Sequence, residues 1–306
     1  MTAYLVTIAI LVCEAALIGL ALNFQWGLAG LVNFGVVGFV AIGAYVTALL
    51  TPELGWLPAM AAAAAISAAL STGLALLSIR LEENYLAIVT IGFGEIVRLV
   101  ILNEEWLTHG ALGIADIARP FAAFGEGLGG DFVFILFAGG LLAIVFLTLE
   151  GLTRSPFGRA LRAIRDDATV TAALGKPVFA LRVRAFAVGG AVMGVAGALH
   201  AFYLRYIDPS QFTPIVTAYA FMAVIAGGRG SNVGLVLGAG SIMALLEGTR
   251  FLKDFISVID GVQLSALRLG LIGVGIVLLL ILRPQGLVAE PRRKAADVLP
   301  DHGGRA

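Results

Sequence analysis

Long, continuous apolar runs recur along almost the whole chain and constrain its fold more than any other feature. A helix needs roughly 20 apolar residues to cross the hydrocarbon core of a bilayer. Because the runs are continuous rather than alternating, transmembrane β-strands are excluded. The sequence therefore predicts an all-α polytopic membrane protein, a bundle of about nine transmembrane helices within a range of about eight to ten. The runs span about residues 3–22, 26–50, 57–79, 84–102, 132–150, 185–207, 215–227, 232–249 and 266–282.

Composition predicts one membrane domain and no soluble one. Of the 306 residues, 59% are hydrophobic and 13% are charged, whereas a soluble domain carries about 25% charged residues. The longest loops hold about thirty residues each, too few for an independent catalytic core. We expect a membrane domain over residues 1–290, which includes a cytoplasmic loop at 151–184, and a flexible cytoplasmic tail at 291–306.

Basic residues collect in one loop, and their position predicts the orientation of the chain. In the 151–184 loop only Asp166 and Asp167 oppose the basic residues, whereas the 103–131 loop is acidic, with Arg119 as its lone arginine. We therefore expect the 151–184 loop and the C-terminus in the cytoplasm, and the N-terminus outside. The basic residues of the first loop are Arg154, Arg159, Arg162, Arg165, Lys176, Arg182 and Arg184.

Nucleotide, metal and nucleic-acid chemistry find no support in the sequence. No GxxxxGK[ST] stretch occurs, so the chain has no P-loop for ATP. Cys13 is the lone cysteine, and His109, His200 and His302 lack metal-ligand spacing. The formal net charge is zero, so the total charge does not point to a polyanionic partner. We expect neither an enzyme nor a cofactor or metal held by this chain.

Two segments in different halves of the chain are interrupted by glycine. In the first, Asn23, Gln25, Asn33 and Gly35 lie among apolar residues, where a broken helix exposes backbone dipoles only to a cavity. Plain helix packing through small residues is the alternative. The second segment, 215–249, has a similar character, so an internal repeat around a central path is a further hypothesis.

Within the second segment, a glycine run predicts a tight turn between two half-length helices. The run contains Gly227, Gly228 and Gly230. A phosphate-binding loop is the alternative interpretation, and the absence of a following Lys-Ser/Thr pair argues against it.

A charge within the membrane is costly, and it usually pairs inside the bundle or serves a function. Glu95 and Arg98 stand three residues apart on one predicted helix, close enough to pair. The pair either fixes helix register or belongs to the substrate route, and the sequence leaves both open. Tyr85 and Thr90 on the same helix, like Asn33, offer hydrogen bonds to a substrate.

The basic loop contains a short amphipathic helix. Pro156 fits a helix start, and Phe157, Leu161 and Ile164 recur at helical spacing while the arginines fall on other faces. Such a helix either docks a cytoplasmic partner or rests on anionic lipid. The loop residues by themselves do not separate these two interpretations.

Five stretches spread over most of the chain occur in the order typical of one family. On these residues the chain resembles the M-type permease subunit of the LIV family of ABC importers for branched-chain amino acids. Urea and amide permeases look similar, so the resemblance is less specific for the substrate. The stretches are Leu22 to Gly43, Asn84 to Arg98, SPFGRALRAIRDD at 155–167, Ala226 to Gly230, and Arg283 to Leu287.

The resemblance implies a subunit of the bacterial inner membrane that pairs with a related H-type permease. It also implies two cytoplasmic ABC ATPases, which bind ATP and magnesium, and a periplasmic substrate-binding protein. Residues 154–175 would then form the coupling helix, although only Ala172, Ala173 and Gly175 loosely match the family's loop consensus. The candidate contacts are Arg154, Pro156, Phe157, Gly158, Arg159, Arg162, Ile164, Arg165, Asp166, Asp167, Ala172 and Gly175.

The same resemblance places Tyr85 to Arg98 near the translocation path. A stand-alone secondary transporter or channel is the alternative from another class, and the scarcity of intramembrane acids argues against it. A membrane-embedded enzyme would need convergent acid–base groups at depth, which the scattered histidines do not supply. The candidate path residues are Asn23, Gln25, Asn33, Gly35, Tyr85, Thr90, Glu95 and Arg98.

Overall fold

The computed structural model describes residues 2–78, 83–121, 128–255, 283 and 285–290, together with scattered positions between 270 and 281. This part of the chain is helical apart from short loops and an isolated β-bridge between Ile114 and Ile207. The first helix, α1, continues directly into a π-helical segment, Asn23–Leu28. The α-helices are α1 Thr2–Leu22, α2 Val36–Leu54, α3 Trp56–Ser78, α4 Glu83–Asn103, α5 Glu105–Thr108, α6 Leu128–Arg154, α7 Pro156–Asp166, α8 Ala168–Ala173, α9 Val178–Leu204, α10 Pro214–Gly227 and α11 Asn232–Phe255.

Seven helical stretches among the described residues are long and apolar enough to cross a membrane. They are α1 with its π-helical extension, α2, α3, α4, α6, α9 and the stretch Pro209–Gly227, which contains α10. A shorter apolar part of α11, Asn232–Glu247, falls on the predicted run at 232–249. The predicted run at 266–282 lies largely outside the described residues, as does the predicted tail at 291–306. The total of about nine spans therefore stays a prediction.

The second predicted run, 26–50, is wrong in its boundaries. The π-helical segment ends at Leu28, and α2 begins only at Val36. Residues 29–35 between them are not helical, and we call them the unwound segment. Because these residues are largely apolar, hydropathy does not distinguish the interruption from a continuous helix.

The centre of the bundle is formed by α2 and α9. In their apolar windows, 67% of the residues of α2 and 72% of those of α9 are buried, and α9 packs against α1, α2 and α3. These helices approach closely at glycines, since a Cβ on Gly43 would collide with the carbonyl oxygen of Gly194. Small residues of this kind allow the backbone contact through which membrane helices associate.

Hydrogen bonds between distant residues fix the direction of α11. Asn23, at the start of the π-helical segment, donates to Asn232 at the start of α11 over 3.0 Å. Near the other end, the hydroxyl of Tyr4 donates to the carboxylate of Glu247 over 3.0 Å. The apolar part of α11 therefore runs antiparallel to α1 along most of its length.

The loops gather at two opposite ends of the bundle. At one, which we call the α7 end, lie the π-helical segment, α7, the 228–231 turn and residues 285–290. At the other, the loop end, the segment after α4 meets the segment after α9 through the bridge of Ile114 with Ile207. The basic loop and the glycine turn thus share one face, and the side of the membrane on which that face lies stays a prediction.

Candidate functional site

Local sequence builds two short helices at the α7 end. α7 begins at Pro156, and the hydroxyl of Ser155 caps it by accepting a hydrogen bond from the N–H of Gly158 over 3.4 Å. Asp167 has an extended backbone that ends α7, and its carboxylate accepts the first N–H groups of α8. The single helix predicted over 154–175 is therefore divided at Asp167.

One face of α7 is fixed to the bundle. Leu161 and Ile164 are buried, and the ring of Phe157 lies 6.3 Å from that of Phe24 in the π-helical segment. Gly158 passes so close to the last carbonyl oxygens of α6 that a Cβ would collide with them. Apolar packing therefore holds α7 against the bundle next to the π-helical segment.

The opposite face of α7 and α8 is exposed. It combines charged side chains with two apolar ones, Val170 and Leu174, whose exposed fractions are 55% and 76%. Val170 and Leu174 are four residues apart, so this surface presents apolar groups beside charged ones. The predicted contact residues on it are Arg154, Pro156, Arg159, Asp166, Asp167, Ala172 and Gly175.

Two of the arginines turn towards the bundle. Arg165 donates to the backbone carbonyl of Gly27 and pairs with the carboxylate of Glu290 at 2.9 Å. Arg162 donates to the carbonyl of Thr153 over 2.8 Å. Sequence reasoning missed Glu290, because it lies 125 positions from Arg165 and no local pattern marks it. The predicted contacts that are packed against the bundle rather than presented on the free surface are Phe157, Gly158, Arg162, Ile164 and Arg165.

The unwound segment is held by polar side chains from other helices. The N–H of Phe34 donates to the hydroxyl of Thr90 on α4 over 2.9 Å. Just beyond the segment, the N–H of Val37 donates to the hydroxyl of Thr217 on α10 over 3.2 Å. An unpaired N–H in a bilayer costs several kcal/mol, roughly the cost of burying an amide without a partner. These threonines therefore stabilise the break between α1 and α2.

Amide side chains complete the network around this break. Asn33 accepts the N–H of Gly35 and donates to Gln25 over 2.8 Å, and Gln25 donates to the carbonyl of Phe186 over 3.1 Å. Asn23 accepts the N–H of Gly230 over 2.9 Å, in addition to its bond with Asn232. The predicted path residues Asn23, Gln25, Asn33 and Thr90 thus bond to protein groups and are buried.

Sequence reasoning missed Thr217 and Asn232, which hold the same network from the second interrupted segment. Each is a polar residue at the start of a helix, Thr217 shortly after Pro214 and Asn232 directly after the glycine run. Their position could have identified them, because polar side chains at helix starts lie near N–H groups that have no partner within the helix. The contact of Asn23 with Asn232 and Gly230 brings the two interrupted segments together, and the internal repeat itself stays a prediction.

The exposed face of α4 carries charge in the middle of a membrane span. Arg98 Nε donates to Glu95 Oε2 over 3.0 Å, and the two side chains are 30% and 42% exposed. Tyr85 on the same helix is 58% exposed, and a Cβ on Gly92 would meet nothing within 4 Å. Because lipid solvates charge poorly, this face requires water or another protein.

The glycine turn between α10 and α11 lies where the sequence predicts it. Gly228 and Gly230 have φ values of +110° and +85°, which side chains other than glycine rarely adopt. The run faces carbonyl oxygens of residues 285 and 288 and the carboxylate of Glu290. These groups repel phosphate, so the geometry disfavours a phosphate-binding loop. Across the described residues, no three His, Cys, Asp or Glu side chains converge to hold a metal ion.

Comparison with known proteins gives a consistent result. A family model described as the permease component of branched-chain amino acid transport systems matches residues 4–282. The high-affinity branched-chain amino acid transport system permease protein LivM of Salmonella typhimurium is 34% identical over 94% of this chain and 70% of its own length. The probable LivM of Methanocaldococcus jannaschii is 28% identical over 90% of each chain. The corresponding LivH protein of Escherichia coli is 24% identical over 90% of this chain and 91% of its own. No solved structure matches.

Proposed function

This chain belongs to the family of permease components of branched-chain amino acid transport systems, and from that premise we propose that it is one of two membrane subunits of an ATP-driven importer. Its cargo is a branched-chain or other apolar amino acid. The observation that carries the proposal is the family match, which extends over nearly the whole helical bundle, from residue 4 to residue 282.

The second membrane subunit is a related permease of the H type. Support comes from the similarity of this one chain to proteins named LivM and to proteins named LivH, each over about nine-tenths of its length. Two chains of one fold pair readily across a pseudo-twofold axis. The exposed face of α4 supplies the surface for that pairing, because the ion pair of Glu95 and Arg98 then faces protein or a water-filled path instead of lipid.

The translocation path accordingly follows α4, with Tyr85, Glu95 and Arg98 at its edge. The remaining candidates, Asn23, Gln25, Asn33, Gly35 and Thr90, act one layer behind by holding the unwound segment. A break in the helix supported in this way can change its backbone conformation with fewer lost hydrogen bonds than a continuous helix. Binding and release of the substrate would then be linked to the shape of this segment.

Two cytoplasmic ABC ATPases supply the energy, and one of them docks on the exposed face of α7 and α8. Arg159, Asp166, Val170 and Leu174 are exposed there beside a helix that is packed onto the bundle. Anionic lipid is the weaker alternative, because two acidic residues and two apolar ones share this surface with the arginines. A periplasmic binding protein delivers the substrate at the loop end.

This chain crosses the bacterial inner membrane about nine times, with the α7 end in the cytoplasm and the N-terminus outside. Glu247 lies beside Tyr4, far from the α7 end, whereas the N–H of Val288 donates to Gly227 at that end over 3.0 Å. The predicted run at 266–282 lies between these two positions in the sequence, which supports a further span there. Basic residues on the α7 end support its cytoplasmic side.

The decisive experiment is to purify the chain from native membranes with its associated proteins and to reconstitute the complex in liposomes. We expect a second permease and two ATPases to copurify, and labelled leucine to accumulate only with ATP and the binding protein. Uptake driven by an ion gradient through the isolated chain would establish the stand-alone transporter instead. Uptake of urea or an amide in place of leucine would place the chain with the amide permeases.

A further inference from the structure

The last described residues of the chain lie across the α7 end as a strap. We define this C-terminal strap as residues 285–290. The N–H of Leu287 donates to the carbonyl of Ala226 over 2.9 Å, and that of Val288 donates to Gly227 over 3.0 Å. Gly286 packs against Gly228 so closely that a Cβ would collide with its backbone. The strap is therefore held on the turn between α10 and α11 by its own backbone.

Glu290 at the end of this strap lies partly buried between two arginines of α7. Its side chain is 12% exposed, and Arg165 and Arg162 lie 2.9 Å and 3.8 Å from its two carboxylate oxygens. A Cβ on Gly230 would lie within 3.1 Å of the carboxylate group, so the turn leaves room for it only by having glycine there. Such a buried pair is costly to break, because removing one partner leaves an uncompensated charge.

Arg165 joins this pair to the broken helix. Besides Glu290, its guanidinium bonds the carbonyl of Gly27 at the end of the π-helical segment. Gly30 also packs directly against Arg165: a Cβ added to Gly30 would lie 3.3 Å from the Cα of Arg165. Gly30, with a φ of +72°, is the point at which the chain enters the unwound segment. One side chain of α7 thus contacts both the strap and the start of the break.

A planar guanidinium can serve two acceptors at once only in one orientation, and the carboxylate of Glu290 selects it. With Arg165 fixed, a displacement of α7 moves the carbonyl of Gly27 as well. Without Glu290 the guanidinium keeps Gly27 and a 3.4 Å contact with the exposed carboxylate of Asp166, so its orientation is less fixed and a shift of α7 reaches the π-helical segment less completely. The strap therefore fixes the orientation of Arg165, which the apolar packing of α7 by itself does not do.

We propose that Glu290 is a positioning residue for transport, which orients Arg165 so that movement of α7 is transmitted to the unwound segment. The inference rests on the proposed function, in which a docked ATPase moves α7. It assigns part of the coupling machinery to a segment distant in sequence from the basic loop. The strap, α7 and the unwound segment then behave as one mechanical unit.

The test uses the purified complex in liposomes and measures leucine accumulated per ATP hydrolysed. For Glu290→Gln we expect this ratio to fall by about tenfold, within the range by which residues between coupled sites change coupling, while ATP hydrolysis and complex assembly persist. Glu53→Gln, an exposed carboxylate at the loop end, is the matched control and should keep the wild-type ratio. An assembled Glu290→Gln complex with a wild-type ratio would overturn the inference.

Two further variants keep the test decisive if Glu290→Gln fails to assemble. Arg165→Lys keeps the charge but replaces the planar, forked guanidinium by one nitrogen on a flexible stem, which does not hold Glu290 and Gly27 in one fixed geometry. Its ratio should therefore also fall, and an unchanged ratio would contradict the proposal. Because Glu290 acts through Arg165, the double variant Arg165→Lys with Glu290→Gln should match the ratio of Arg165→Lys alone, and a further fall would also contradict the proposal. Failure of the proposed function is distinguishable, because the wild-type complex would then show no ATP-driven uptake at all.

Discussion

Two spans of this bundle, α4 and α6, are similarly poorly buried, but only the exposed face of α4 adds an ion pair in the middle of the span to its apolar side chains. In their apolar windows, 22% of α4 and 28% of α6 are buried within the chain. The free face of α6 presents apolar side chains such as Phe132, Leu136 and Leu147. The free face of α4 presents the ion pair of Glu95 and Arg98.

The comparison teaches that low burial by itself does not locate a subunit interface in a membrane protein. Lipid solvates an apolar helix face at no cost, so the face of α6 needs no protein partner. It does not solvate an ion pair, so the face of α4 does need one, or water. The chemistry of the exposed residues, rather than their exposure, points to α4 as the side on which the permease pairs.

The largest expected difference follows from placing a charge on each face. Ile144 on α6 and Ile96 on α4 are matched, with exposed fractions of 65% and 61%. An arginine facing lipid at the centre of a span costs about 2.5–3.5 kcal/mol. Ile144→Arg should therefore lower the amount of folded protein in the membrane by more than about tenfold, and Ile96→Arg by clearly less. Fluorescence-detected size-exclusion chromatography of the complex measures both, and an equal loss would remove the contrast between the faces.

A smaller but functional effect is expected when the ion pair of α4 is broken. Arg98→Leu leaves Glu95 unpaired in the middle of a span, and leucine uptake should fall by about tenfold because an unpaired charge is destabilising there. The double variant Glu95→Leu with Arg98→Leu restores an apolar face and should recover assembly. If the pair borders the path, uptake by the double variant stays low, whereas full recovery would show that the pair only fixes helix register.

The two helices also differ in what their threonines hold. Thr90→Val on α4 leaves the N–H of Phe34 without its acceptor, which should destabilise the protein by about 1–3 kcal/mol. Thr148 on α6 bonds only a carbonyl of its own helix, that of Ile144, over 2.8 Å. Thr148→Val should therefore change the melting temperature of the purified complex much less. Equal shifts for the two variants would argue against a special role of Thr90.

The smallest expected effect tests the shape of each face. A Cβ on Gly92 of α4 or on Gly139 of α6 would meet nothing within 4 Å in this chain. Leucine at either position favours the helix by the same amount, somewhat less than the roughly 0.8–1 kcal/mol that separates glycine from alanine. If the second permease packs on α4, the leucine of Gly92→Leu occupies space that the partner needs. Such overpacking costs about 1 kcal/mol, so the amount of second permease that copurifies should fall several-fold. Gly139→Leu should leave it intact, and the opposite pattern would assign the interface to α6.

Much of the candidate site was predictable because its signals are local. Pro156 after Ser155 predicts where α7 begins, and the glycines at 227–230 predict the turn before α11. The inward direction of Arg162 and Arg165 was not predictable. An arginine on a short basic helix normally faces water, and the acceptors that turn these two inward are contributed by Thr153, Gly27 and Glu290.

The sequence by itself determined the class of the protein, its family and the approximate positions of its described spans other than the second, because hydropathy over about 20 residues and motif order are properties of contiguous residues. Only the tertiary structure decided that the second run breaks at residues 29–35. Every backbone group in a bilayer needs a partner, and the partners of this break, Thr90 and Thr217, lie on α4 and α10. A helix can unwind in the membrane only where other residues accept its freed N–H groups, and here those residues lie far along the chain and come near only on folding.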